Sequence, residues 1–348
     1  MEQFEPVYYS DYLELDKILE AQHPKSDIYK VKADDEMLFI VIHQSYELWF
    51  KQILHEVKII GEVFSKPSIN DNSPDLYNAV HRLKRIGKIL EVLVHKINIL
   101  ETMTPLDFLD FRNMLRPASG FQSYQFKILE ALLGLKFDQR YGQNYYLTQL
   151  RPDDLAKVKA IEGKASLVQL VNNWLERMPF FENEKFWANY NGQSKETHSK
   201  WVFWNDYRDA YKKSLSPHES SNLDYFDNML FNENYDTERS FSQKANRSML
   251  FIMLYRGYPM LQLPYELLNS LLDIDDLMAQ WRSRHINMVH RMIGGRTGTG
   301  GSTGKEYLKG ALDKHYIFKE IAEITSFLIE RRNLPILGKD LEKALGYA

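Results

Sequence analysis

An apolar repeat close to the α-helical period of about 3.6 residues runs through nearly the whole chain, and it constrains the fold more than any other feature. From Asp34 to Phe64, the residues Phe39, His43, Tyr46, Phe50, Ile53, Leu54 and Val57 fall on one stripe. From Asp75 to Leu100 the stripe is Val80, Leu83, Ile86, Leu90, Leu93 and Ile97. Thr104-Pro105 reads as the N-cap and first residue of a third helix, which stops near Pro117. Phe121 to Leu133 is a fourth, ended by Gly134, and Asp153 to Trp174 is helical with a break at Gly163. Thr237 to Tyr255, Pro264 to Ile293 and Gly304 to Glu330 read as further long helices. The one Asn-Gly pair, Asn191-Gly192, lacks alternating apolar runs on both sides, and no sustained period-2 run occurs. The expected class is all-α, a large helical bundle.

No repeat of 20–50 residues and no low-complexity linker divides the 348 residues, so a single domain over 1–348 is expected. Apolar residues make up 44% of the chain, enough for one large core. The stretch 178–233 is polar and rich in Trp and Tyr, and reads as a helical insert packed on the body. A net charge of −3 gives no global field that favours nucleic acid or an anionic membrane. With no cysteine, the chain has no disulfide, thiolate metal site or cysteine nucleophile. The acidic start MEQFEPVYYSDYLELD lacks an apolar segment of the secretory kind, and no apolar run reaches the ~18–20 residues that span a bilayer. A cytoplasmic protein without nucleic-acid or membrane partners is expected.

Glycines at 294, 295, 298, 300, 301 and 304 interrupt the helical pattern. Glycine loops before helices often bind phosphates through backbone N–H groups. Here both phosphate motifs fail. In the Walker frame ending at Gly304-Lys305, the first glycine position is Thr299 and the residue after the lysine is Glu306. In the dinucleotide frame starting at Gly298, the last glycine position is Thr303, and a helical pattern precedes it where a strand is required. Two readings stay open, a flexible connection or a loop whose backbone and hydroxyls meet the carboxylate or ammonium of a zwitterion.

Three polar residues sit on apolar faces. His285 has Ile274, Met278, Trp281, Met288, Val289 and Met292 around it on the helical wheel, whereas His290 lies about 140° away at the polar edge. His43 repeats the pattern between Phe39, Tyr46 and Phe50. Each is either a hydrogen-bonded core histidine or an axial ligand to a buried metal or haem. Arg112 lies between Phe108 and Leu115, and either snorkels to water or meets a carboxylate. With no cysteine and no tight carboxylate cluster for a bare metal, a single axial histidine in an aromatic core suits haem better.

At these residues the sequence resembles the tryptophan 2,3-dioxygenase family. The matching stretches are DEMLFIVIHQSYELWFKQILHE from Asp35, LETMTPLDFLDFRNMLRPASGFQSYQFKILE from Leu100, WRSRHINMVHRMIGGRTGTGGSTG from Trp281, and YSDYLELDKILEAQ from Tyr9. The weakest part of the resemblance is 178–233.

The resemblance implies a homotetramer with one haem b per subunit, its iron ferrous in the active state. It implies insertion of O2 across the indole C2–C3 bond of L-tryptophan to give N-formylkynurenine, the first step of tryptophan degradation by the kynurenine pathway. It makes His285 the axial haem ligand and His43 the distal histidine, with Phe39, Phe108, Leu115 and Ser119 lining the pocket. It gives Arg112 the substrate carboxylate, and Thr299 both the ammonium and the carboxylate. It sends Tyr9, Tyr12 and Leu13, within an N-terminal segment over 1–33, into a neighbouring subunit's pocket. The alternatives are a related haem oxygenase on a substituted indole or another aromatic amino acid, a haem sensor without turnover, and a colourless helical scaffold.

Overall fold

The computed structural model describes residues 4–69, 73–135, 148–178, 183–195, 199–232, 239–296, 298 and 316–346. Every regular element among them is helical. In chain order these are α1 (Tyr9–Leu13), α2 (Leu15–Leu19), α3 (Lys25–Tyr29), α4 (Asp35–Phe64), α5 (Pro74–Leu100) and α6 (Pro105–Arg112). Then come α7 (Tyr124–Leu133), α8 (Pro152–Glu162), α9 (Leu167–Glu176), α10 (Val202–Ser214) and α11 (Ser221–Leu230). The last are α12 (Gln243–Leu254), α13 (Pro259–Ile293), α14 (Lys319–Glu323) and α15 (Lys339–Ala344). No helix among these residues is long and apolar enough to cross a membrane.

Three long helices carry the body, with α5 packed between α4 and α13. Their stripes meet in one core in which Ile53, Ile60, Leu83, Ile86, Leu271 and Ile274 are almost wholly buried. Local chemistry sets many boundaries. Ser73 caps α5, its hydroxyl accepting the Leu76 N–H at 3.3 Å, and Pro74 fills the first position. Thr104 and Asp107 form the reciprocal box that starts α6. Gly134 ends α7 at φ 135°, where an added Cβ would lie 2.6 Å from a Val168 methyl.

Three expected boundaries are corrected. The helix expected from Pro264 begins at Pro259 instead. The missing N–H of Pro264 costs one bond near the helix start, and the buried Leu261 keeps that turn packed. Of the helix expected from Thr237, residues 237 and 238 lie outside the described residues; the helix is described from Gln243, since the N–H groups of Ser240 and Phe241 go to Glu320 and that of Ser242 to Asn172. Of the helix expected from Gly304 to Glu330, residues 304–315 lie outside the described residues. The rest is only α14 and a 3-10 turn over Ile324–Phe327. Asp275 takes the N–H groups of Ile317 and Phe318 ahead of α14, and the Tyr207 and Tyr211 hydroxyls donate to the carbonyls of Phe327 and Ser326 beyond it.

The stretch 178–233 contributes to the same core. Phe203, Trp204, Tyr207, Tyr211 and Phe226 are fully buried in it. Trp187, Tyr190 and Trp201 pack against it half-buried.

Candidate active site

α4 and α13 carry the same side-chain spacing toward one cavity. On α4 the residues are Phe39, His43, Tyr46, Glu47 and Phe50, and on α13 they are Trp281, His285, Met288, Val289 and Met292. Each set steps by four, three, one and three residues, the interval that keeps side chains on one helical face. The two stripes line a cavity of about 280 Å³, which α6, α7 and the turn between them complete with Phe108, Arg112, Ser119, Phe121 and Phe126.

His43 is half-buried on this wall. Its Nδ1 lies 2.7 Å from the Phe39 carbonyl, and a carbonyl only accepts, so Nδ1 carries the proton. That leaves Nε2 as the ring's acceptor. Burial lowers the His43 pKa, with the Phe39 hydrogen bond and Glu47 pulling weakly the other way, so the ring is neutral at pH 7. Phe39 tilts against the imidazole at 4.1 Å between centroids and touches Phe108 and Phe111, which ties this end of α4 to α6.

His285 lies on the opposing stripe, and burial together with His43 lowers its pKa to about 4. His285 lines the cavity, whereas His290 is exposed and does not. Trp281, one turn earlier, lies parallel to the His285 ring, at 5.5 Å and 8°. A neutral imidazole can donate a lone pair to a metal. No group of three or more His, Asp or Glu side chains suited to a metal ion occurs among the described residues. A metal held at His285 must therefore bring most of its ligands with it.

Arg112 is 4% exposed, yet its side chain lines the cavity. Burial lowers its pKa, and the nearby Arg116 and Arg296 lower it further. The two neighbouring guanidinium groups add positive potential at Arg112. Ser119 lines the same wall while capping the 3-10 turn Gly120–Gln122, its hydroxyl accepting the Phe121 N–H at 3.4 Å. Elsewhere on the wall lies a buried charged cluster. Arg282 donates to Glu130 at 3.0 Å, and Lys127 lies 3.6 Å from the same carboxylate.

The cavity thus brings together Phe39, His43, Phe108, Arg112, Ser119 and His285. It does not include Leu115, which packs half-buried against the core. Thr299 lies outside the described residues, although its neighbour Gly298 reaches the cavity wall. Tyr9, Tyr12 and Leu13 are far from buried in this chain, at 74%, 74% and 36% exposure. Sequence reasoning passed over Glu47 and Glu130 as wall residues. Glu47 had a signal, since it stands one turn beyond His43 on the same face.

The fold and site define an all-helical protein with two histidine-bearing helices facing one apolar cavity that carries an arginine in its wall. The family profile described as Tryptophan 2,3-dioxygenase matches residues 2–328. The tryptophan 2,3-dioxygenase of Bdellovibrio bacteriovorus is 41% identical, over 99% of this chain and 99% of its own length. Those of Dictyostelium discoideum and Alteromonas mediterranea are each 40% identical, over 98% and 99% of this chain and 88% and 98% of their own. The chain belongs to the tryptophan 2,3-dioxygenase family, a family of dioxygenase enzymes.

Proposed function

We propose that this protein is a haem-dependent dioxygenase that inserts O2 across the indole C2–C3 bond of L-tryptophan, giving N-formylkynurenine. The observation that carries the reading is the pairing of stripes. A neutral His285 and a neutral His43 face one apolar cavity, with the Arg112 guanidinium in its wall.

The residues fit haem b. The wall is rich in aromatic side chains, and no hydrogen bond from a described residue reaches either ring nitrogen of His285, so the imidazole would be available to hold the haem iron. When bound, ferrous haem supplies the O2 chemistry that no side chain here provides.

The other tasks belong to the chain. Arg112 offers a planar fork that meets a carboxylate at two points, a contact worth about 1.5–3 kcal/mol when buried. That contact fixes which way the amino acid enters. The Nε2 lone pair of His43 accepts the indole N–H. Because an indole N–H is a very weak acid and neutral histidine a modest base, His43 steers the ring rather than removing its proton. Phe39 and Phe108 flank the indole and exclude water. Thr299 is assigned to the substrate's ammonium and carboxylate on the family resemblance.

We further propose a homotetramer in which Tyr9, Tyr12 and Leu13 complete a neighbour's pocket. The support is a run of exposed apolar groups, including Phe4, Val7, Tyr8, Tyr9 and Tyr12, on a segment anchored only further along. Glu36 takes the N–H groups of Lys25 and Ser26 at 2.8 Å each, and Gln44 holds the Ala21 carbonyl at 2.9 Å.

The test is an absorption spectrum of the haem-loaded, reduced protein mixed with L-tryptophan in air. A Soret band with growth of N-formylkynurenine absorbance is expected. A Soret band without product sinks the substrate assignment, and failure to take up haem sinks the whole reading.

A further inference from the structure

A histidine that holds a metal needs its ring plane fixed, and the usual device is a hydrogen bond from its second nitrogen to a carboxylate or carbonyl. His43 has such a bond, to the Phe39 carbonyl. His285 has none among the described residues. The two carboxylates of the cavity wall, Glu47 and Glu130, have partners of their own. Glu130 is held by Arg282, and Glu101 by Arg284 and Arg291. Asp275 accepts from Ile317 and Phe318, and Glu47 from Gln125.

What His285 does have is an aromatic face. Trp281 lies nearly parallel to it, at 8° and 5.5 Å between centroids, an offset stack. Trp281 is itself held on several sides. Phe126 of α7 lies 5.0 Å away, and Tyr46 and Phe50 of α4 lie 6.2 Å and 6.3 Å away. Phe50 and Phe126 also touch each other at 5.3 Å, so two other helices, α4 and α7, box the indole.

We propose that Trp281 is the positioning residue of His285, and that its indole face, in place of a hydrogen bond, sets the plane of the imidazole. The inference rests on the reading of His285 as the haem ligand. Two rotatable bonds join the imidazole to α13, and a stack that resists their rotation keeps the ligand lone pair aimed into the cavity. Among the described residues no carboxylate draws the second proton of a ring held this way.

The test compares Trp281→Phe, which keeps a flat face, with Trp281→Leu, which removes it. Trp281→Met serves as a second non-aromatic variant if the leucine protein does not fold. Three quantities are read: the melting temperature of the haem-free protein, the rate of haem transfer to an excess of apo-globin, and the iron–imidazole stretching band of the ferrous protein without substrate. The phenylalanine protein should keep a single band and release haem within about twofold of the parent. The non-aromatic variant should broaden or split the band and release haem about tenfold faster, while its haem-free melting stays within a few degrees of that of the phenylalanine variant. A parental band and release rate in the non-aromatic variant would overturn the proposal, as would equal damage in both variants. His285→Ala separates the proposal from the reading beneath it. If that protein keeps the iron–imidazole band, the haem-ligand reading itself fails, whatever Trp281 does.

Discussion

His43 gives its Nδ1 proton to the carbonyl of Phe39, one turn earlier on α4 and 2.7 Å away. That single contact decides the tautomer. It makes Nε2 an acceptor and ties the histidine to the backbone of the residue whose ring it also touches, at 4.1 Å. His43→Ala should therefore leave haem bound and lower kcat/KM for L-tryptophan about 5- to 150-fold, the effect of leaving a buried N–H unsatisfied at about 1–3 kcal/mol. 1-Methyltryptophan has no indole N–H, so the substitution should cost it far less. Steady-state kinetics with both substrates check this, and an equal loss on both would remove the hydrogen bond from the account.

Arg112 sits in the cavity wall with Arg116 and Arg296 adding to its positive potential. Arg112→Lys keeps the charge and discards the fork. The expected result is a drop in kcat/KM for L-tryptophan of about 10- to 150-fold, following from about 1.5–3 kcal/mol. Tryptamine, which lacks the carboxylate, should be handled alike by parent and variant. Should tryptamine suffer as much as tryptophan, Arg112 is shaping the wall rather than holding the acid.

The residues of the long stripes were legible because they answer to local rules. The period placed His43 and His285 on apolar faces, and the Thr104-Pro105 pair placed the start of α6 correctly. Two of the three boundaries that misled are set by groups far away in sequence. Nothing near Ile317 signals that Asp275 will take its N–H, and nothing near Phe327 signals the Tyr207 hydroxyl. The Glu130–Arg282 pair was hidden for the same reason. The partners are 152 residues apart, and only the approach of α7 to α13 makes them neighbours on the cavity wall. Leu115, expected in the pocket by resemblance, lies on the 3-10 turn Asn113–Leu115 and packs half-buried against the core.

Asp275 gives a stability prediction with a definite sign. Burial raises its pKa to about 6 from an ordinary 3.8, against the pull of the Phe318 and Ile317 N–H groups and Arg282. Between those two values the folded chain holds a proton that the unfolded chain releases. The contribution is fully present below about 3.8 and is lost as pH rises toward 6. Across that window the loss approaches about 1.4 kcal/mol for each tenfold fall in proton concentration. Asp275→Asn cannot titrate. Relative to the parent it should gain stability between pH 4 and pH 7, read by urea unfolding of the haem-free proteins at each pH. Parallel curves at both values would mean that the buried carboxyl does not titrate in this window.

Glu130 and Arg282 test what buried charge contributes to the cavity wall. Their ion pair is almost closed to solvent, with side chains 1% and 7% exposed. Removing one member takes away the carboxylate that compensates a buried guanidinium, a loss of about 3–5 kcal/mol. Glu130→Ala should lower the unfolding free energy by about that amount. Glu14→Ala is the comparison. Its partner Lys17 lies 2.7 Å away, yet both side chains are more than half exposed, at 61% and 66%. Such a surface pair is worth about 0–1 kcal/mol. Urea unfolding of the two variants beside the parent decides the matter. If Glu130→Ala cost no more than Glu14→Ala, Arg282 would be finding water or another acceptor inside the cavity, and the wall around Trp281 would be wetter than its packing implies.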